Sequence, residues 1–432
     1  MQKLLLTTLM IIASCLSLAA QSIEASDTLP EIRASLLLVD AGDAEYSICG
    51  HAAIRMEYPS GDLDFCFSYD SSDDAVNVMR LLLGHAKGRS IAVKWADYEA
   101  QYKSEGRGIR QLPLNLTRRE KQRLWQLLDQ QMNDNTTTFD ILKSSCSSVA
   151  MLTIERALDN EYLDWGSWQA ATGATTYRDI IGKATEARPW WHSFWLLTLG
   201  GTDGQQEAEP ESLPPTMLPA ALRNATIRKP NGESRPLLLE LRVTSYELRV
   251  TNYELRVTNS TFFDKRSGRS RSVIPHSSLR PAQLIRHSKF QIRHSSLTPL
   301  LASIVLLVAA IVVSLANLKG WLLGVAKIVD GVLLAIQSIL GLWLTLMTCS
   351  AHSMVRWNPY VVVLNLVPLL LWLTARGKQW RSRVLTTYAA VIAIFLLATP
   401  AAFVQTPLHI LAVAMLVRCL AKLFSTRYKV NR

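Results

Sequence analysis

Metal-ligand spacing is missing from this sequence. Its six cysteines are scattered over 432 residues and none stand at the intervals of zinc or cluster sites, so no metal and no cofactor enters the reading. Acidic charge is missing from the last third, where residues 297–432 hold 12 Lys/Arg against a single Asp/Glu. The apolar runs there lack the series of ionisable groups that a transport path uses, and Arg418 is expected to snorkel to the cytoplasmic side. A basic face on a folded domain is missing too. Residues 1–222 carry 19 Lys/Arg and 29 Asp/Glu, whereas residues 223–296 carry 15 and 5. The net charge of +11 therefore sits in a linker and in loops, which excludes nucleic acid as an expected partner.

What is present divides the chain into four parts. Residues 1–20 have one basic residue, Lys3, an apolar run and small residues before Gln21, the pattern of a signal peptide, with Cys15 as an alternative lipid anchor. Residues 21–222 form the acidic exported domain. Residues 223–296 read as a basic, disordered tether containing three near-identical seven-residue units from Glu240, in which Val-Thr-Asn argues against a coiled coil. Residues 297–432 hold five apolar runs, at 300–318, 328–348, 360–375, 384–404 and 408–424, each close to the ~20 residues of a spanning helix. Lys319, Lys327, Arg376, Lys378, Arg381, Arg383, Arg427, Lys429 and Arg432 then fall on one side, placing the carboxyl tail in the cytoplasm by the positive-inside rule. The lipid bilayer is thus an expected partner, with the protein in an inner membrane; nothing in the sequence bears on its oligomeric state.

Within the exported domain, His51-Ala52-Ala53-Ile54-Arg55 opens a strand whose alternation puts His51 and Arg55 on one face, after a turn at Gly50. Pro59-Ser60-Gly61-Asp62 is a turn into a second strand over 63–69. If Tyr58 faces Leu63, then Arg55 faces Cys66, Ala53 faces Ser68 and His51 faces Asp70, so Asp70 is expected to orient the imidazole. A register slip of two would substitute Ser68 or Ser72. Thr117-Arg118-Arg119-Glu120 is a capping box before a helix. Ser144-Ser145-Cys146-Ser147-Ser148 caps another, with Cys146 at its amino end, where the helix dipole and an imidazole would favour a thiolate.

Together with Gly42 to Arg55, these residues carry a resemblance: Gly106-Arg107, Leu114 to Thr117, Cys146-Ser147, Thr176-Tyr177-Arg178, Pro189-Trp190, Gly200 to Asp203 and Met217-Leu218-Pro219 resemble the Lnb N-terminal periplasmic domain family, and Ser350-Ala351-His352 with 358–368 resembles its membrane part. This chain has Ser145 where the family has Asn, Val149 or Ala150 where it has Arg, and Cys49 and Cys66 where it has Phe and Asn. The order of His before Cys is similar to the permuted papain-like fold of lecithin retinol acyltransferase and NlpC-type proteins. That resemblance implies an α+β domain with Cys146 as nucleophile and His51 as general base, followed by a helical membrane domain of about five spans. The site expected from all this is Cys146, His51 and Asp70 for catalysis, with Arg55 and Tyr46 binding substrate. Its substrate would be an amide, peptide or ester of the envelope, whether peptide, glycan or acyl; the alternative is a non-catalytic accessory protein that assists an exported enzyme.

Overall fold

The computed structural model describes residues 32–42, 47–71, 78–133, 137–239 and 297–430, apart from 353, 368–369, 371–376 and 401–402. The expected signal peptide, Tyr46 and the seven-residue repeat lie outside the described residues.

The exported part is α+β. Strands β1 (Arg33–Val39), β2 (His51–Tyr58), β3 (Leu63–Ser71), β4 (Gly88–Lys94) and β5 (Ile109–Pro113) form an antiparallel sheet in the order β4-β3-β2-β1-β5. The β2–β3 pairing includes Tyr58 with Leu63, Arg55 with Cys66 and Ala53 with Ser68, the register expected from the Pro59 turn. Gly50 enters β2 with φ of 80°, and a Cβ there would lie 2.5 Å from the Val39 carbonyl, so the turn admits only glycine.

Both faces of the sheet are covered. Leu36, Ile54 and Met56 pack on one side against the helices α3 (Arg118–Asn133) and α4 (Cys146–Ala157), through Leu124, Met151 and Ile154. On the other side Leu37, Val39, Ala53 and Cys66 pack against Tyr98 and Tyr102 of α2 (Trp95–Ser104), while Leu82 of α1 (Val78–Leu82) is buried in the core of the first side. The capping box of α3 forms as the sequence predicts: the Thr117 N–H donates to Glu120 Oε2 at 2.6 Å, and the Glu120 N–H donates to Thr117 Oγ1 at 3.3 Å.

The expected boundary at 222 is too early. After α5 (Trp168–Thr172), α6 (Tyr177–Thr185), α7 (Pro189–Thr198) and α8 (Leu218–Leu222), the chain adds β7 (Thr226–Arg228) and β8 (Ser234–Pro236) beside β6 (Tyr162–Asp164). Ile227 and Leu237 are fully buried in the main core, and Arg235 reaches both Glu120 and Glu161 at 2.7 Å. Residues 223–239 therefore belong to the folded domain; their basic side chains answer acidic partners rather than marking a tether.

The membrane part contains α9 (Pro299–Leu318), α10 (Leu323–Met347), α11 (Lys378–Ala398) and α12 (Thr406–Val430). Among the described residues three helices are long and apolar enough to span, namely α9, α10 and the 406–425 stretch of α12, against the five expected; the apolar part of α11, Ser382–Ala398, is shorter. The run from Tyr360 does not begin as a spanning helix. It starts as a 3₁₀ turn, Pro359–Val362, capped by Asn358, and Tyr360 is buried with its hydroxyl bonded to the Phe403 carbonyl at 3.1 Å.

Arg418 does not snorkel. It is 3% exposed, donates to Asp330 at 2.7 and 3.1 Å and to Ser314 Oγ at 2.9 Å, and Lys422 reaches the same carboxylate at 2.9 Å. Asp330 is about two turns into α10, close enough to pair, so the arginine is neutralised where it stands instead of seeking water. Removing only the carboxylate should strand that charge: Asp330→Ala is expected to cost about 3–5 kcal/mol, read as a lower melting temperature in detergent. The double change Asp330→Leu/Arg418→Met should recover most of the loss, and equal melting of the single and double variants would contradict this account.

Candidate active site

Cys146 is the first residue of α4, and the residues around it are fixed locally. Ser145 is the N-cap: its Oγ accepts the Ser148 N–H at 3.4 Å, while Ser148 Oγ accepts the Ser145 N–H at 2.6 Å. The preceding turn is held by Asp140, whose Oδ1 accepts the N–H groups of both Leu142 and Lys143 at 2.8 Å. The other oxygen, Oδ2, meets His352 Nδ1 of the membrane part at 2.7 Å, and His352 Nε2 meets the Leu81 carbonyl at 2.8 Å. Ser350 Oγ donates to the Leu82 carbonyl at 2.5 Å and the Ala351 N–H to the Leu83 carbonyl at 3.0 Å. The loop after α10 is therefore clamped to the segment that presents the thiol.

His51 starts β2 and its ring stacks at 6.1 Å on Tyr102 of α2. Cys146 lines the same cavity and acts on the ring electrostatically. Burial pulls the imidazole pKa down, but the influence of the neighbouring Cys146, helped by the charge of Asp70, outweighs burial and the opposing charge of Arg107; the net shift is upward from 6.5. Nε2 of the ring lies 2.6 Å from Ser68 Oγ. Asp70, expected to orient the imidazole, instead accepts the N–H of Ser71 at 2.8 Å and acts on the ring only through its charge. No register slip is involved: Ser68 is the diagonal neighbour of His51 across the β2–β3 pair, and a ring leaning along its strand reaches that position.

Cys146, His51 and Asp70 line one cavity of about 270 Å³. Its polar end also holds Tyr102, Glu105 and Arg107, and its remaining walls are largely apolar, with Leu142, Phe139, Ile180, Ile181, Trp195 and Pro215. Trp195 belongs to α7, which packs on the membrane part: Trp343 Nε1 donates to Thr198 Oγ1 at 3.0 Å, and Gln405 Nε2 to the Leu196 carbonyl at 2.7 Å. One wall of the cavity, at Trp195, thus comes from a helix that also meets the membrane part.

Arg55, expected to bind substrate, does not line the cavity. Its guanidinium is occupied by Asp64 at 2.8 and 2.6 Å and by Gln111 at 3.0 Å, and it lies over the Trp95 ring. Sharing a strand face with His51 is insufficient, because the four-residue step along β2 carries Arg55 away from the cavity. Cys49 and Cys66 are free; burial pushes the Cys49 thiol up to about 11 and the Cys66 thiol, chiefly for the same reason, to about 12.

Residues 19–182 match the Lnb N-terminal periplasmic domain and residues 291–429 match the Lnb transmembrane domain, together more than two thirds of the chain. The chain belongs to the Lnb family. No curated protein and no solved structure matches it. A periplasmic domain on a transmembrane domain fits an inner-membrane protein, and the site of this Lnb protein lies in the first of these domains, against the second.

Sequence reasoning missed Ser68 in its unslipped register, Tyr102 and Asp140, and noted Arg107 and His352 only as parts of motifs. The triplet Ser350-Ala351-His352 was the available signal for the clamp, since a histidine between short residues in an outer loop is placed to reach a neighbour.

The clamp has a defined pH window. The hydrogen bond to Asp140, against an opposing effect of burial, raises the His352 pKa above 6.5; the bonds from His352, Lys143 and Leu142 outweigh burial and lower the Asp140 pKa below 3.8. The histidine contribution is complete below 6.5 and is lost as pH rises through the raised value. The carboxylate contribution is present above 3.8 and is lost only as pH falls through the lowered value. Hydrogen exchange over 139–148 should therefore accelerate beyond the intrinsic rate as pH rises through the raised His352 value, and His352→Gln should abolish that extra pH dependence while raising exchange throughout.

Proposed function

We propose that this Lnb protein is a thiol-dependent acyl-transfer enzyme of the periplasmic membrane surface, cleaving an ester or amide through Cys146. The observation that carries the reading is that Cys146 and His51 line the polar end of one cavity whose other walls are largely apolar and include Trp195 of α7, the helix that meets the membrane part. A helix amino end and an imidazolium both favour a thiolate. Its Sγ attacks the acyl carbon, first-turn N–H groups of α4 stabilise the oxyanion, and His51 gives its proton to the departing alcohol or amine. The resulting thioester passes the acyl group to water or an amine, from which His51 takes the proton back. Ser68 holds the ring in place, the part given to a third residue in His-assisted nucleophiles, here by a neutral hydroxyl.

The permuted papain-like arrangement is part of this proposal, supported by histidine on a strand and cysteine opening a later helix. A lipid-linked or other acyl-bearing envelope substrate fits the apolar walls and the junction with the membrane part better than a long glycan does, since a glycan needs many polar partners. The cytoplasmic tail, with the basic loops on its side, belongs to the same reading. The accessory role is the second reading, favoured by Ser145 in place of the family's Asn.

The full chain in detergent tests this. The isolated exported segment is not a fair substitute, because Met347, Met354 and Val355 of the membrane part are buried in the same core as β1 and α4. Alkylation of Cys146 by iodoacetamide at pH 7, read peptide by peptide in a mass spectrometer, should be faster than at Cys49 or Cys66 and fall roughly tenfold or more in His51→Ala. Ser68→Ala should give a smaller loss. A Cys146 as slow as Cys66, and indifferent to His51, would leave the accessory reading standing.

A further inference from the structure

Arg107 is the charged group nearest in kind to a ligand site that the proposed chemistry does not use. It follows the turn after α2, and its residue is 9% exposed. Nε donates to the Asp40 carbonyl at 2.8 Å and Nη1 to Glu105 Oε2 at 3.0 Å, while the guanidinium lies over the Tyr102 ring at 4.9 Å. Nη2 is buried and has no partner. A guanidinium has five donors in a rigid fork, and leaving one buried without an acceptor is unfavourable unless something fills it. Arg107 and Glu105 line the same cavity as Cys146, and the arginine's charge is felt by His51. Glu105 occupies one arm of the fork, and the other arm stays open.

We infer that Arg107 is the anion-recognising group of this cavity, binding an oxyanion, phosphate or carboxylate, carried by the substrate whose acyl carbon lies at Cys146. The inference rests on Cys146 being the nucleophile. Planar, doubly donating recognition of an oxyanion is the use to which a half-satisfied arginine is suited, and Tyr102 holds the plane. An acyl substrate with an anionic group would then be bound at two points: its chain along Ile180, Ile181 and Trp195, its anion at Arg107. Two-point binding fixes the carbonyl between them, as positioning of a reacting group requires.

The test needs no knowledge of the natural substrate. The full chain in neutral detergent is alkylated with iodoacetate, an anion, and with iodoacetamide, its neutral counterpart, and the rate ratio at Cys146 is measured. Both reagents attack the same thiolate, so the ratio is insensitive to thiol reactivity and reports the field of the cavity. In Arg107→Gln the ratio should fall about tenfold, and in Arg107→Lys, which keeps the charge, it should stay near wild type. Because Arg107 also ties Asp40 and Glu105 together, a second arm uses the unaltered protein: inorganic phosphate and short-chain phosphatidic acid are titrated as competitors of iodoacetate. Protection by both assigns a free oxyanion as a sufficient ligand, and protection by phosphatidic acid alone assigns a lipid headgroup. A ratio unchanged in Arg107→Gln, or protection by neither competitor, overturns the inference. A ratio that falls while Cys146 is indifferent to His51 would overturn the acyl-transfer reading and leave the anion site in place.

Discussion

The position of the thiol depends on one carboxylate. Asp140 accepts two N–H groups of the turn that leads into α4 and meets the imidazole of His352 from the membrane part, so three bonds converge on one side chain. Charge assistance makes each of these stronger than an ordinary neutral hydrogen bond. The turn, the capping serines and Cys146 follow within six residues, too short a span for the thiol to move independently of the carboxylate. Because one of the three bonds comes from the loop after α10, the membrane part is a structural component of the site. It holds the turn that leads into Cys146, and an anchor alone would not need such a contact.

The electrostatics at the other end of the cavity follow a similar economy. Burial and the charge of Arg107 loosen the proton of His51, Cys146 and Asp70 hold it, and the balance is a ring whose proton is held more tightly than in water. Ser68 rather than Asp70 takes the second ring position. A hydroxyl there orients the imidazole without adding a further negative charge to a partly buried site. With Asp70 at the exposed edge of β3, its charge is screened by solvent and its influence on the ring is moderate.

What the sequence disclosed were features with local causes. The hairpin register follows from a turn with Pro59 and Gly61 and from strict alternation; the cap of α4 follows from serines three residues apart. The partnership of His51 with Cys146 came from motif order, across 95 positions. The features it concealed are set by side chains from distant segments. Arg55 looked like a binding residue until Asp64, on the adjacent strand, took both arms of its fork. Arg107 sits in a stretch without clear periodicity, and only the folded chain brings it over Tyr102. Arg418 read as a snorkelling residue because helical spacing does not reveal that Asp330 of another helix faces it. The basic residues after 222 resembled a tether for the same reason, since the carboxylates that answer Arg235 lie about 75 and 115 positions earlier.

Registration between the two parts is carried by packing and not by the chain that joins them. Gly201 donates its N–H to the Met354 carbonyl at 2.8 Å, and a side chain at that position would collide with the Met354 and Arg356 carbonyls, so the backbones meet directly. Asn358 reaches the Leu197 carbonyl, and Gln405 the Leu196 carbonyl next to it. These bonds, with the clamp at His352, fix the junction at points well outside residues 240–296. The connecting stretch then has only to span the distance, and lengthening it is cheap: doubling a loop costs about 0.6 kcal/mol in closure entropy. A seven-residue unit copied three times is what such a segment tolerates. The same duplication inserted between Asp140 and Cys146 would separate the thiol from the clamp, which explains why the repeat is found where length is free and the site is built where it is not.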